Sequence, residues 1–181
     1  MAVLVKPLPP ESIVVKLPPE IDLASVVDTL QKIEQALVVL VREPQIGGHV
    51  VVERWETGPL LLVLSLGAGA AVALVARALR AGVVVYEEIQ KGRMMSQHVR
   101  GLKIRKDMAE EMDRLQEKFI KDLVEQEGRA VESHAFGDHE RVRCEHIKNS
   151  IRLFADLIAR GTTVYPAPEM PPEQAQHFPV Y

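Results

Sequence analysis

Aromatic rings are scarce in this chain, at 4% of 181 residues. The core must then be built from Val, Leu, Ile and Ala. Such a composition suits long helices and close small-residue packing better than an aromatic-lined ligand pocket. Cysteine is nearly missing: Cys144 stands alone, so no intramolecular disulfide can form and a reducing compartment is the natural setting. There is no excess of positive charge either. The formal net charge is -3, which lacks the basic field of a general nucleic-acid binder, and no nucleic-acid partner is expected. The opening segment MAVLVKPLPPESIVV has no basic region followed by an apolar one, and Pro7, Pro9 and Pro10 interrupt it. It does not read as a secretory signal. A cytoplasmic protein, or one on the cytoplasmic face of a membrane, is expected.

Charge is also missing locally. Pro59 to Ala76 reads PLLLVLSLGAGAAVALVA, in a chain that is 26% charged. That length is near the lower limit for a helical span, about 17–25 residues. Trp55 before it, and Arg77 and Arg80 after it, resemble an interfacial anchor and a positive flank. The Thr57-Gly58-Pro59 turn favours a different outcome, in which the leucine-rich half is a buried strand and the alanine-rich half begins a helix. The folded reading is the stronger. On either reading Leu60, Leu62, Leu64, Gly67, Gly69, Val72, Val75, Leu79 and Val83 make an apolar surface expected to meet a second copy of the chain or a bilayer.

What is present points to an α+β chain in four segments. Residues 1–66 read as a small unit: a strand over 12–17, a helix from Leu23 capped by Asp22 or Ser25, and strands over 49–56 and 60–66. Residues 67–100 read as an Ala/Val-rich apolar helix that Gly92 can break. Residues 101–162 read as a charged antiparallel hairpin. Its first helix carries Ile104, Met108, Met112, Leu115 and Phe119 at intervals of four and three, and Asp138 is placed to cap its second. Residues 163–181 hold five prolines and read as an extended strap whose anchors, Tyr165, Phe178 and Tyr181, suit a neighbouring protomer or partner.

Candidate chemistry is thin. Glu132, His134, Asp138, His139, Cys144 and His146 cluster near the hairpin turn, but no pair has the C-x-x-C or H-x-x-x-H form of a zinc site. Cys144 as a nucleophile would need a base and a lowered pKa, for which His139, His146, Arg141 and Arg143 are the local candidates. The Gly67-Ala68-Gly69 stretch lacks both the third glycine of a dinucleotide fingerprint and the Lys-Ser/Thr of a P-loop. The basic segment Arg93, His98, Arg100, Lys103, Arg105 and Lys106 runs directly into Asp107, Glu110, Glu111 and Asp113, which makes it a mixed solvated face. No catalytic residue, metal or cofactor is expected, and the chain reads as a non-enzymatic, self-associating protein. A single-span membrane anchor and a phage or virus structural component are the alternatives.

Over about residues 11–90, the strand-helix-strand order, the Glu56-Thr57-Gly58 turn, the leucine-rich strand and the following Ala/Val helix form a pattern. It resembles the effector-associated constant component proteins and related adaptors of bacterial conflict and antiphage operons. Pro59 departs from it, standing where a small hydroxyl residue is expected. The resemblance implies a bacterial, partner-binding adaptor without catalysis. It assigns no site residue.

Overall fold

A computed structural model describes residues 7–19, 22–57, 60–102 and 106–181. Gly58 and Pro59 of the expected turn, and Lys103, Ile104 and Arg105 of the expected basic segment and helix, lie outside the described residues. The fold is α+β: one four-stranded antiparallel sheet, a long apolar helix, and further helices.

The β-branched run Ser12–Lys16 forms β1. Helix α1 spans Leu23–Val41, and the Asp22 carboxylate accepts from the Ser25 N–H at 2.8 Å, so Asp22 is the cap. Strands β2 (Val51–Thr57) and β3 (Leu60–Ser65) follow as an antiparallel pair with an irregularity between Val52 and Arg54. The second strand was expected from residue 49. His49 instead donates its backbone N–H to Leu66 at 3.1 Å, ahead of the regular ladder.

The tail departs from the strap expected of it. Thr163–Pro166 forms β4, which pairs with β1 and completes the order β2-β3-β1-β4. Pro172–Ala175 is one helical turn, α5, with proline at its start, where a missing N–H costs nothing. Proline also blunts this sheet edge, since it cannot donate to a further strand.

Alternation sorts the sheet's two faces. Ile13 is registered with Leu64, and Val15 with Leu62 and Val164. All five belong to the continuous apolar core, which is what period-two strands with one covered face require. Val14, registered with Val63 and Tyr165, lies on the other face. There the Tyr165 and Tyr181 rings meet edge to face at 5.5 Å, and the Tyr181 hydroxyl accepts from the Val164 N–H at 3.3 Å.

Helix α2 runs unbroken over Gly69–Gly101, α3 over Lys106–Phe136 and α4 over Arg141–Ala159. Gly92 does not break α2. It stands where α2 crosses α3, with the Gln116 amide against it, so a side chain there would collide. Gly82 does the same service toward α4: a Cβ would lie 2.8 Å from Phe154 Cβ and 3.2 Å from backbone atoms of Ile151 and Ala155. Glycine at these crossings lets the helices approach closely. Helix α2 has the length and composition of a membrane span, with mean hydropathy 1.6 over its most apolar window, but 56% of that window is buried inside the fold. The greasy stretch therefore serves as a core helix here. Polar ties reinforce the layer: Lys32 on α1 donates to Asp156 on α4 at 2.6 Å, and Arg160 reaches Asp28 at 2.5 Å.

Candidate functional site

The sequence-expected contact surface lies mostly inside one chain. Leu62, Leu64, Val72, Val75 and Leu79 are buried, Leu60, Gly69 and Val83 are half-buried, and of this group only Gly67 is exposed. The reason is that α4 and α3 fold back over α2, while the sheet's inner face is closed by the helices. Gly67 adopts φ +72° in the turn from β3 to α2, with the His49 ring beside it, and is thus a turn residue. The tail anchors are likewise engaged by their own chain. Phe178 is buried in the core, and Tyr165 and Tyr181 pack on each other.

At the α3–α4 turn the structure brings Glu132, His139 and Cys144 together, with donor atoms all within 4.8 Å of one another. His134 and His146 are not part of this group: His134 borders a groove with Arg77 and Arg80, and His146 one with Glu34 and Arg42. Glu132, near the end of α3, has 1% of its surface exposed. Its Oε1 accepts from the Glu140 N–H at 3.0 Å and from Arg143 Nε at 3.2 Å, and its Oε2 meets His139 Nδ1. Asp138, expected to cap α4, instead receives Arg143 at 2.6 Å. The N–H of Glu140, just before α4, is satisfied by Glu132 from across the turn. Arg143, 3% exposed, also lies 4.2 Å from the centroid of the Phe136 ring.

The electrostatics are those of a clasp. Burial pushes the Glu132 carboxyl up, but the Glu140 N–H, His139 and the Arg143 charge outweigh it and hold the group below its usual range. Burial opposes the Arg143 charge, and the Asp138 and Glu132 carboxylates overcome that. Burial and the adjacent Glu132 carboxylate both raise the Cys144 thiol, the reverse of what a nucleophile or thiolate ligand needs. A cation here would compete with the buried guanidinium for Glu132. The cluster can lock a helical turn.

Exposed apolar side chains remain on α1 and β2, at Leu23, Val27, Val51, Val52 and Trp55, and along the distal halves of α2 and α3. Helix α4 reaches only as far as the cleft where Ala155 and Ala159 meet Ile89, Arg93, Glu117 and Ile120. Beyond that level the two helices continue as an arm on which no third layer packs among the described residues. Among the described residues from Lys91 to Phe119, only Val99 is buried. Met94, Met95, Leu102, Met108, Leu115 and Phe119 are all exposed, Leu115 by 58% and Phe119 by 53%. Met95, Met112, Leu115 and Phe119 line one cleft of ≈ 290 Å³ floored by Gly92. The spacing of four and three flagged this stripe in the sequence, but as a packing face. The side of α3 turned to α4 is the one carrying Glu117, Lys121, Val124 and Gly128, roughly opposite at about 100° per residue.

No protein-family model matches the chain. It is similar to the uncharacterized protein YqaP of Bacillus subtilis (strain 168), at 24% identity over 173 residues, covering 91% of this chain and 55% of that protein. The chain thus spans about half the length of the curated relative it matches. No solved structure matches it.

Proposed function

We propose that this is a non-enzymatic assembly protein of the cytoplasm that associates with itself, and through that assembly with partners, by means of the α2–α3 arm. The observation that carries the reading is the arm's stripe of exposed Met, Leu and Phe side chains, which continues beyond the part of α2 that the chain itself buries. Contiguous exposed apolar surface of this kind marks contact with another molecule. The Glu132–Arg143 cluster supports the non-catalytic side of the reading, because its polar groups are spent on one another. The resemblance to bacterial adaptor proteins agrees in kind.

Light scattering of the detergent-free chain over a range of concentrations tests this. A discrete multimer is expected, and a Met95→Gln, Leu115→Gln, Phe119→Gln triple variant is expected to run as a folded monomer. A wild-type monomer at every concentration, or recovery only from membranes with detergent, would defeat the reading.

A further inference from the structure

We infer that α3 pairs antiparallel with α3 of a second copy, through Met108, Met112, Leu115 and Phe119, with Glu111 of each chain set against Lys118 of the other. This rests on the self-association reading above and names its geometry.

The argument begins with which flank of the stripe is open. Met108, Met112, Leu115 and Phe119 step by four, three and four, the seam of a two-helix packing. One flank of that seam holds Ala109, Gln116 and Leu123. It is turned toward the chain's own α2, where the Gln116 side chain lies against Gly92. A partner helix can therefore use only the other flank, which holds Glu111 and, seven residues on, Lys118. Lys118 makes no ion pair among the described residues, and Glu111 has only an exposed contact with Arg114 at 3.6 Å.

Charge then selects the partner. The open flank carries one negative and one positive residue, a heptad apart, so it is complementary to itself when reversed. In antiparallel pairing Met112 packs against Leu115 of the second copy and Met108 against Phe119. In that register Glu111 faces Lys118 twice, once on each side of the two-fold axis. Such an interface is isologous and closes at two copies. A parallel pairing would direct Glu111 and Lys118 toward the flank already covered by α2, and would make neither ion pair. An anionic bilayer gains little from this stretch of α3, because Asp107, Glu110, Glu111, Asp113 and Glu117 offset Lys106, Arg114, Lys118 and Lys121.

Sedimentation equilibrium of the full chain, with helicity followed by circular dichroism, tests the geometry. The wild type is expected to be a dimer. Lys118→Glu places carboxylates opposite one another at both ends of the interface and is expected to raise the dimer Kd roughly tenfold or more. Adding Glu111→Lys to it restores opposite charges and is expected to recover the wild-type Kd. Both positions are exposed, so all variants should keep wild-type helicity. A multimer whose mass ignores both charge changes would overturn the antiparallel α3 pairing while leaving self-association intact. A wild-type monomer throughout would overturn both.

Discussion

Glu132 near the end of α3 and Arg143 near the start of α4 form a buried ion pair at 3.2 Å, and the Glu132 carboxylate also accepts from the N–H of Glu140, the residue just before α4. One carboxylate thus holds both the buried charge on α4 and the backbone that leads into that helix. Removing Glu132 leaves a guanidinium that is 3% exposed without its buried partner. Glu132→Ala is expected to cost about 3 kcal/mol, the range for breaking one side of a buried pair. Urea unfolding at neutral pH measures it through a lower midpoint at unchanged slope.

The same carboxylate gives a pH dependence of defined sign. Its folded-state pKa lies below the ordinary 4.5, so the unfolded chain binds its proton more readily. Its stabilising contribution is present above about pH 4.5 and is lost as the pH falls through the depressed folded value. Glu132→Gln cannot titrate. The stability gap between wild type and Glu132→Gln should therefore be widest near neutrality and narrow in acid, a difference that chemical denaturation at several pH values reads directly. A gap that widened in acid would refute the assignment.

Much of the fold is legible in the sequence where a local rule and the tertiary outcome agree. Asp22 caps α1 as its residue type requires, the leucine-rich run becomes β3, and the spacing through Ile147, Ile151 and Phe154 gives α4 its buried face. The misread positions are those where the partner decides. Gly92 carries a helix-breaking propensity of about 1 kcal/mol, yet sits inside α2 because Gln116 occupies the space a side chain would need. The Met108 to Phe119 stripe has the period of a packing face, and period alone does not say which neighbour, if any, is present. The strap reading of the tail rested on proline, which neither requires nor forbids the four-residue β4 beside β1. The cluster at Glu132, His139 and Cys144 was visible as residue types. That it is a clasp depends on Arg143 reaching inward, which no spacing rule specifies.

Gly82 and Gly101 should respond oppositely to the same substitution. At Gly82 the atoms an added Cβ would meet include backbone of Ile151 and Ala155 at 3.2 Å, which cannot swing aside. Gly82→Ala is expected to destabilise by roughly 1–3 kcal/mol, as overpacking does. At Gly101 nothing among the described residues lies within 4 Å and the residue closes α2, so Gly101→Ala should stabilise by about 0.5–1 kcal/mol through helix propensity. Thermal melts of the two variants should fall on either side of the wild type.

Cys144 should be chemically silent in the folded chain. It is buried, and both burial and the neighbouring Glu132 carboxylate raise its thiol above the ordinary range. A thiol-specific chromogenic reagent at pH 8 is expected to react with it only as fast as the chain opens, and at once in urea. Chelator is expected to leave the melting temperature unchanged, because the Arg143 guanidinium already lies against the Glu132 carboxylate. Rapid native labelling, or a chelator-induced fall in melting temperature, would show instead that the thiol is presented as a ligand or nucleophile.

The outer face of the sheet gives a spectroscopic test of the tail's position. Burial pushes the Tyr181 hydroxyl up to about 12, against the lowering effect of the Val164 N–H that donates to it. In an ultraviolet titration the wild type should show a phenolate step near that value that Tyr181→Phe removes. The same variant loses one hydrogen bond at the edge strand, a cost of about 1 kcal/mol. Phe178→Ala, which empties a core position three residues earlier, should cost about 3–5 kcal/mol. If the tail were instead a strap for another protomer, Phe178→Ala would change the mass of the assembly and leave the unfolding midpoint of a dilute chain where it was.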